Sequence, residues 1–205
     1  MDKFLTRPYI RTQQEQLDIA AIQELIKFER YCRDNALWDE MRQCYAAKST
    51  VNISWYQGSG DGFVTASAKM GVYVPHRIHS ELTWLNKDRA VTILGATVQM
   101  RRHIEDIECE LSTDVQLIFA TQKINGQWYI VRFESIYEQD RLVPAIPNAD
   151  FSLDSSKLSG YRKSYACMSY CIELYGGTAN QELIGIDRPE TVKQLYDELS
   201  KWLQA

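Results

Sequence analysis

Nowhere in this sequence do apolar residues approach the run of roughly 20 that a membrane-spanning helix requires, so no helical span is expected. Lysine and arginine never gather into a stripe, and the net charge is -4 with a pI near 5.5. A nucleic acid or other polyanion therefore finds no electrostatic footprint. Cys32, Cys44, Cys109, Cys167 and Cys171 are odd in number and scattered, which argues against a disulfide framework. With only three histidines to complete a tetrahedral site, no metal is expected either. The start, Met1 to Pro8, lacks the apolar centre of a secretory leader, and the expected location is the cytoplasm. Internal repeats and low-complexity tracts are also missing. What remains is an ordinary globular balance, 45% apolar and 24% charged over 205 residues, enough for one domain with an extension.

Glu15 to Cys32 carries Leu17, Ala20, Ala21, Leu25, Phe28 and Tyr31 or Cys32 at spacings of three and four, which predicts an amphipathic helix ended by Asp34-Asn35. A shorter helix is expected from about Leu37 to Tyr45. Thr50 to Tyr56 alternates and reads as the first strand. Gly58-Ser59-Gly60-Asp61-Gly62 follows without the Lys-Ser/Thr of a phosphate loop, so a turn with an Asp61 cap leading into a helix from Phe63 to Met70 explains it better. Beyond Met70 the period falls from 3.6 to 2. Strands are expected at about His76 to Asn86, Arg89 to His103, Ile107 to Ile124 and Trp128 to Leu142, with Asn125-Gly126 as a hairpin signal. Tight turns make these neighbours antiparallel. After Pro144 and Pro147 the chain reads as helical again, at about Ser155 to Tyr175 and Pro189 to Leu203. Helices followed by a meander make an α+β layout.

One strand holds the most chemistry. Read with a period of two, it places His76, Ile78, Leu82 and Trp84 on one face and Arg77, His79, Glu81 and Thr83 on the other. An imidazole facing inward among Ile and Trp is either a hydrogen-bonded part of the core or a group placed to move a proton.

Two helices with Asp34-Asn35-Ala36-Leu37-Trp38 between them, a strand ending in aromatics, a short helix, a strand opening with His76, then Asn86-Lys87-Asp88-Arg89-Ala90-Val91 and three long strands follow in order. From about Gln13 to Pro147 this order resembles the SnoaL-like branch of the nuclear transport factor 2-like superfamily. The tail, including Gly185-Ile186-Asp187-Arg188-Pro189-Glu190 and Trp202-Leu203, is similar to an extension in some uncharacterised bacterial members. The resemblance implies a cone: a curved antiparallel sheet wrapped over the N-terminal helices around a deep, mostly apolar pocket. Residues 1–147 would form the cone domain and 148–205 a C-terminal helical extension packed on it. Members include scytalone dehydratase, a bile-acid dehydratase, polyketide cyclases, ketosteroid isomerase and proteins that only bind partners, so the fold licenses a pocket and not a reaction.

In the dehydratase members an Asp after the first helix orients a His from the sheet, and the pair is the proton-transferring base. Asp34 and His76 match those positions. The pairing suits the task, because a neutral imidazole accepts a proton near neutral pH while a carboxylate on its other nitrogen fixes the tautomer and stabilises the cation. Tyr31 and Tyr56 are the candidates to polarise a substrate carbonyl. Trp55, Phe63 and Trp84 are expected in the pocket wall or the core, with the wall preferred as substrate contacts. Arg132, in phase with Trp128, Ile130 and Glu134, is either a charged anchor for substrate or half of an ion pair outside. The resemblance implies a dehydratase, isomerase or cyclase acting without cofactor on a hydrophobic cyclic substrate. The alternative is a non-catalytic small-molecule-binding or dimeric interaction module. Either would form a homodimer through the outer sheet face, with Val131 and Phe133 or their neighbours.

Overall fold

The computed structural model describes residues 4–7, 11–71, 73–147 and 151–205. The stretch Met1 to Pro8 and the division at 147/148 fall partly outside those residues. Helix α1 (Gln13–Asp34) starts on a reciprocal cap. The Thr12 hydroxyl accepts from the Glu15 amide at 3.2 Å, and the Glu15 carboxylate accepts from the Thr12 amide at 2.8 Å, satisfying donors that a helix start leaves without intrahelical partners. The stripe it buries is Ile19, Ile22, Ile26, Glu29, Arg30, Cys32 and Arg33. Leu17, Phe28 and Tyr31, which apolar periodicity places inside, are exposed. Counting apolar residues misses the true face because that face carries Glu29, Arg30 and Arg33.

Helix α2 (Trp38–Gln43) is shorter than its pattern suggests, because Tyr45 already opens strand β1 (Tyr45–Ile53). A turn at Ser54-Trp55 folds the chain back into β2 (Tyr56–Ser59), so the single strand expected from Thr50 to Tyr56 is a hairpin. Ser59 rather than Asp61 caps helix α3 (Gly60–Met70), its hydroxyl accepting from the Gly62 amide at 3.0 Å. Asp61 pairs with Arg42 instead. Strands β3 (His76–Asn86), β4 (Arg89–Ile104), β5 (Ile107–Ile124) and β6 (Gln127–Pro144) form the antiparallel meander. Its last turn has φ 52° at Asn125 and 86° at Gly126, the left-handed pair that an Asn-Gly hairpin supplies.

The sheet runs β2-β1-β6-β5-β4-β3, and β1 lies parallel to β6 with Thr50 opposite Arg132. The sheet is therefore mixed. Sequence patterning missed this pair because everything from β2 to β5 lies between its members in the chain. Within the β3–β6 meander three bulges decide which side chains face inward. Residues 79 and 80 of β3 fit a single step of β4, while Val131 and Glu138 are each an extra residue of β6 against β5. An added residue reverses the alternation beyond it. His76 accordingly faces the concave side, whereas Trp84, expected on the same face, faces the convex one.

The helix expected from Ser155 to Tyr175 is broken into a 3-10 turn (Ser155–Leu158) and helix α4 (Ala166–Leu174), with Arg162 between them. The Arg162 guanidinium forks onto Asp187 at 2.5 and 3.0 Å and also donates to the Leu183 carbonyl, which pins the connection to the last helix. Helix α5 (Pro189–Gln204) lays Leu195, Leu199 and Leu203 on the convex face against Phe4, Trp84, Ile118 and Ile136. Burying each leucine stabilises by about 1.5–3 kcal/mol. This helix covers part of the outer face on which a second copy was expected, and Phe133 points into the concave core instead. Among the described residues no helix is long and apolar enough to cross a membrane.

Candidate active site

Helix α1, α3, α4 and the concave side of the sheet enclose a cavity of about 480 Å³. Its wall is mostly apolar, with Ile53, Val98, Leu117 and Phe133 from the sheet and Met168 and Ile172 from α4. The polar groups that reach it are few, as in a site where apolar contact supplies affinity and a few polar atoms supply orientation.

His76 lines this cavity at the start of β3, its side chain 8% exposed. Its Nδ1 lies 2.7 Å from Asp34 Oδ1, and its backbone N–H donates to Asp34 Oδ2 at 2.8 Å. One carboxylate at the end of α1 thus fixes both the ring and the strand that carries it. On the far side of the ring, Nε2 lies 3.3 Å from Arg30 Nη1. A guanidinium only donates, so Nε2 is the acceptor and Nδ1 carries the proton toward Asp34. Burial holds the His76 pKa below the ordinary histidine value, with the Asp34 hydrogen bond opposing it and the charges of Arg30 and Arg33 adding to it. Burial raises the Asp34 pKa, but the hydrogen bonds from the His76 ring and amide, with the charge of Arg30, outweigh it and keep the carboxyl below its usual range. The pair is a neutral imidazole on a carboxylate, with the basic nitrogen facing Arg30 in the cavity wall.

Arg30 is itself held. Its guanidinium meets both oxygens of the neighbouring Glu29 at 2.5 Å, and Tyr45 donates its hydroxyl to Glu29 at 2.9 Å. Burial disfavours the cation, yet Glu29 more than offsets it and the Arg30 pKa is raised. The guanidinium also lies 4.8 Å above the Phe133 ring. Tyr137, inward on β6, brings a phenol to the cavity. Its oxygen accepts from the Ser54 amide at 2.8 Å, leaving its own proton to donate. Burial raises its pKa despite the hydrogen bonds with Ser54 and Ser135, so the phenol stays protonated at neutral pH.

The candidates named from sequence divide. His76, Asp34, Trp55 and Phe63 come together at the cavity, Asp34 through its bond to His76. Tyr31 does not, being 58% exposed on the outer side of α1. Tyr56 packs its ring near Trp55 and Phe63, but its hydroxyl turns away to donate to the Ser59 carbonyl at 3.0 Å. Trp84 belongs to the convex core, donating its indole N–H to Thr6 O at 2.9 Å. Arg132, turned outward by the Val131 bulge, pairs with Glu134 and Glu198 at 2.8 and 3.1 Å. Arg30, Arg33 and Tyr137 were missed. The arginines were legible, since residues 26, 30 and 33 continue the stripe of Ile22; Tyr137 was not, because its orientation depends on the Val131 bulge.

No family model matches the chain. Uncharacterized protein AN9274 of Emericella nidulans is 30% identical over 172 residues, spanning 78% of this chain and 72% of that protein. Among solved structures, the hexachlorocyclohexane dehydrochlorinase LinA type 2 superposes with a TM-score of 0.58 at 11% identity, over 69% of this chain and 100% of its own. A scytalone dehydratase-like protein of Novosphingobium aromaticivorans gives 0.53 at 14% identity, over 68% and 100%. At these identities the likeness is one of fold, and it shows the nuclear transport factor 2-like cone.

Proposed function

We propose that this chain, which belongs to the family of protein AN9274 and is built on the SnoaL-like cone, is a cofactor-independent lyase or isomerase acting on a hydrophobic cyclic substrate. The observation that carries the reading is the His76–Asp34 pair, 2.7 Å apart, in the wall of a mostly apolar cavity. His76 Nε2 takes a proton from a carbon beside a carbonyl, and the electron pair of that C–H bond moves onto the carbonyl oxygen as an enolate. Tyr137 donates to that oxygen. Nε2 has one lone pair, so it takes that proton as the Arg30 N–H it accepts shifts to the carbonyl oxygen, which gives the enolate a second donor. The enolate then re-forms the carbonyl while the adjacent carbon expels a leaving group. If that group is hydroxide, the proton on Nε2 returns to it as water; if no group leaves, it returns to a different carbon and shifts the double bond.

Two structural neighbours are named for eliminations, a dehydratase and a dehydrochlorinase, which supports this class of chemistry. The test is turnover of cyclic β-hydroxy ketones of the steroid, polyketide and dihydroxynaphthalene types. His76→Ala, folded and still binding ligand, is expected to lose turnover by about 10²- to 10⁴-fold. Equal turnover in the variant removes His76 as the base.

A further inference from the structure

Three arginines line the cavity: Arg30, Arg33 and Arg102. Arg30 is neutralised by Glu29, and Arg102 is partly exposed to solvent with its guanidinium 4.9 Å above the ring of Tyr175. Arg33 is different. It is 5% exposed, its Nη2 donates to the sulfur of Met70 at 3.5 Å, and its guanidinium stands 5.9 Å from the ring of Trp38. Among the described residues no carboxylate lies within ion-pairing distance of it. Asp34, next in sequence, gives one oxygen to the His76 ring and the other to the His76 amide.

A thioether is a weak acceptor and an aromatic face is a partial substitute at best. Buried cations are ordinarily paired because desolvation is expensive and a counter-ion offsets it. Burial and the charge of Arg30 work against the Arg33 cation, and the more distant charges of Asp34 and Glu29 offset them only in part, so its pKa is lowered. The terminal turn of α1 places this charge beside the dyad, in a cavity whose walls are mostly apolar.

We propose that the cavity's ligand is an apolar keto acid and that Arg33 is the cation on which its carboxylate docks. The guanidinium fork matches a carboxylate with two parallel hydrogen bonds. A carboxylate activates its neighbouring C–H bond poorly, so the carbonyl that acidifies the proton is a second group of the same molecule. The carboxylate is the handle and the ketone is the reactive centre. This rests on the cavity being the substrate site, as above, and adds the substrate's chemical class.

The test uses 3-(2-oxocyclohexyl)propanoate and its methyl ester as matched probes, measured by titration calorimetry on the full chain. The wild-type protein is expected to bind the acid at least about tenfold more tightly than the ester. Arg33→Met removes that preference by weakening the acid alone, Arg33→Lys keeps part of it, and Arg102→Met keeps it. Because Arg33→Met deletes a buried unpaired cation, its thermal midpoint is expected to equal or exceed that of the wild type; if it does not fold, Arg33→Lys decides. Equal binding of acid and ester by the wild type, equal weakening of both by Arg33→Met, or an unchanged acid preference in Arg33→Lys overturns the proposal. Binding is read without turnover. A protein that prefers the acid yet moves no proton overturns the dyad's role and keeps the docking site, whereas turnover of neutral ketones with no acid preference does the reverse.

Discussion

The imidazole of His76 works as a base only while neutral, and its surroundings extend the range in which it is neutral. Burial pushes its pKa down, and the Asp34 bond only partly restores it. The acid limb of the rate–pH profile is therefore expected below pH about 6.5, the value of an unperturbed histidine, with a plateau above. The same shift fixes the sign of a stability effect. Below pH about 6.5 the unfolded chain takes up a proton at this position more readily than the folded one, so stability falls as pH drops; at higher pH the contribution is constant. Thermal midpoints between pH 7 and 5 should decline less steeply in His76→Ala. Asp34→Asn leaves the cavity intact but withdraws the acceptor that holds the proton on Nδ1, and a loss of about 10²- to 10⁴-fold in kcat is expected with little change in ligand affinity. These two residues could be read from sequence because His76 precedes the first bulge and Asp34 ends the first helix. Tyr31 was misassigned for want of the helix's true inner face, and Tyr137 lay beyond reach because counting by twos fails past an unseen bulge.

Helices and hairpins announced themselves. The Thr12 and Glu15 pair, the Asn125-Gly126 turn and the change of period after Met70 each encode a local geometry in neighbouring residues. The bulges at residues 79–80, Val131 and Glu138 leave no such mark, because an extra residue alters which face a side chain takes without altering composition. This is why Trp84 stands outside the pocket, and why Arg132, open between substrate anchor and outer ion pair, takes the ion pair. The consequence is two cores on one sheet, with the leucines of α5 sealing the convex one. Leu199→Ala is thus expected to reduce stability by about 2–5 kcal/mol while leaving ligand affinity in the concave cavity unchanged. Denaturant unfolding alongside calorimetry checks both halves, and a large loss of affinity at unchanged stability would mean that the two cores are not separate.

The cavity is completed by parts of the chain far apart in sequence. Asp34, His76 and Tyr137 come from a helix and two strands, and Met168 and Ile172 close it from α4. These two structural neighbours superpose on just over two thirds of this chain, 68% and 69%. Removing residues 151–205 is expected to uncover both cores, and the shortened chain should lose cooperative unfolding by circular dichroism. A truncated chain that unfolds as sharply as the full one would make the extension a separate unit. The central claim, that His76 removes a proton from carbon inside this cavity, is tested most directly by deuterium wash-in. A cyclic ketone bound by the protein in D₂O should gain deuterium next to its carbonyl, read by mass spectrometry, with the wild type and not with folded, ligand-binding His76→Gln. Equal incorporation by both proteins, or none by the wild type, contradicts it.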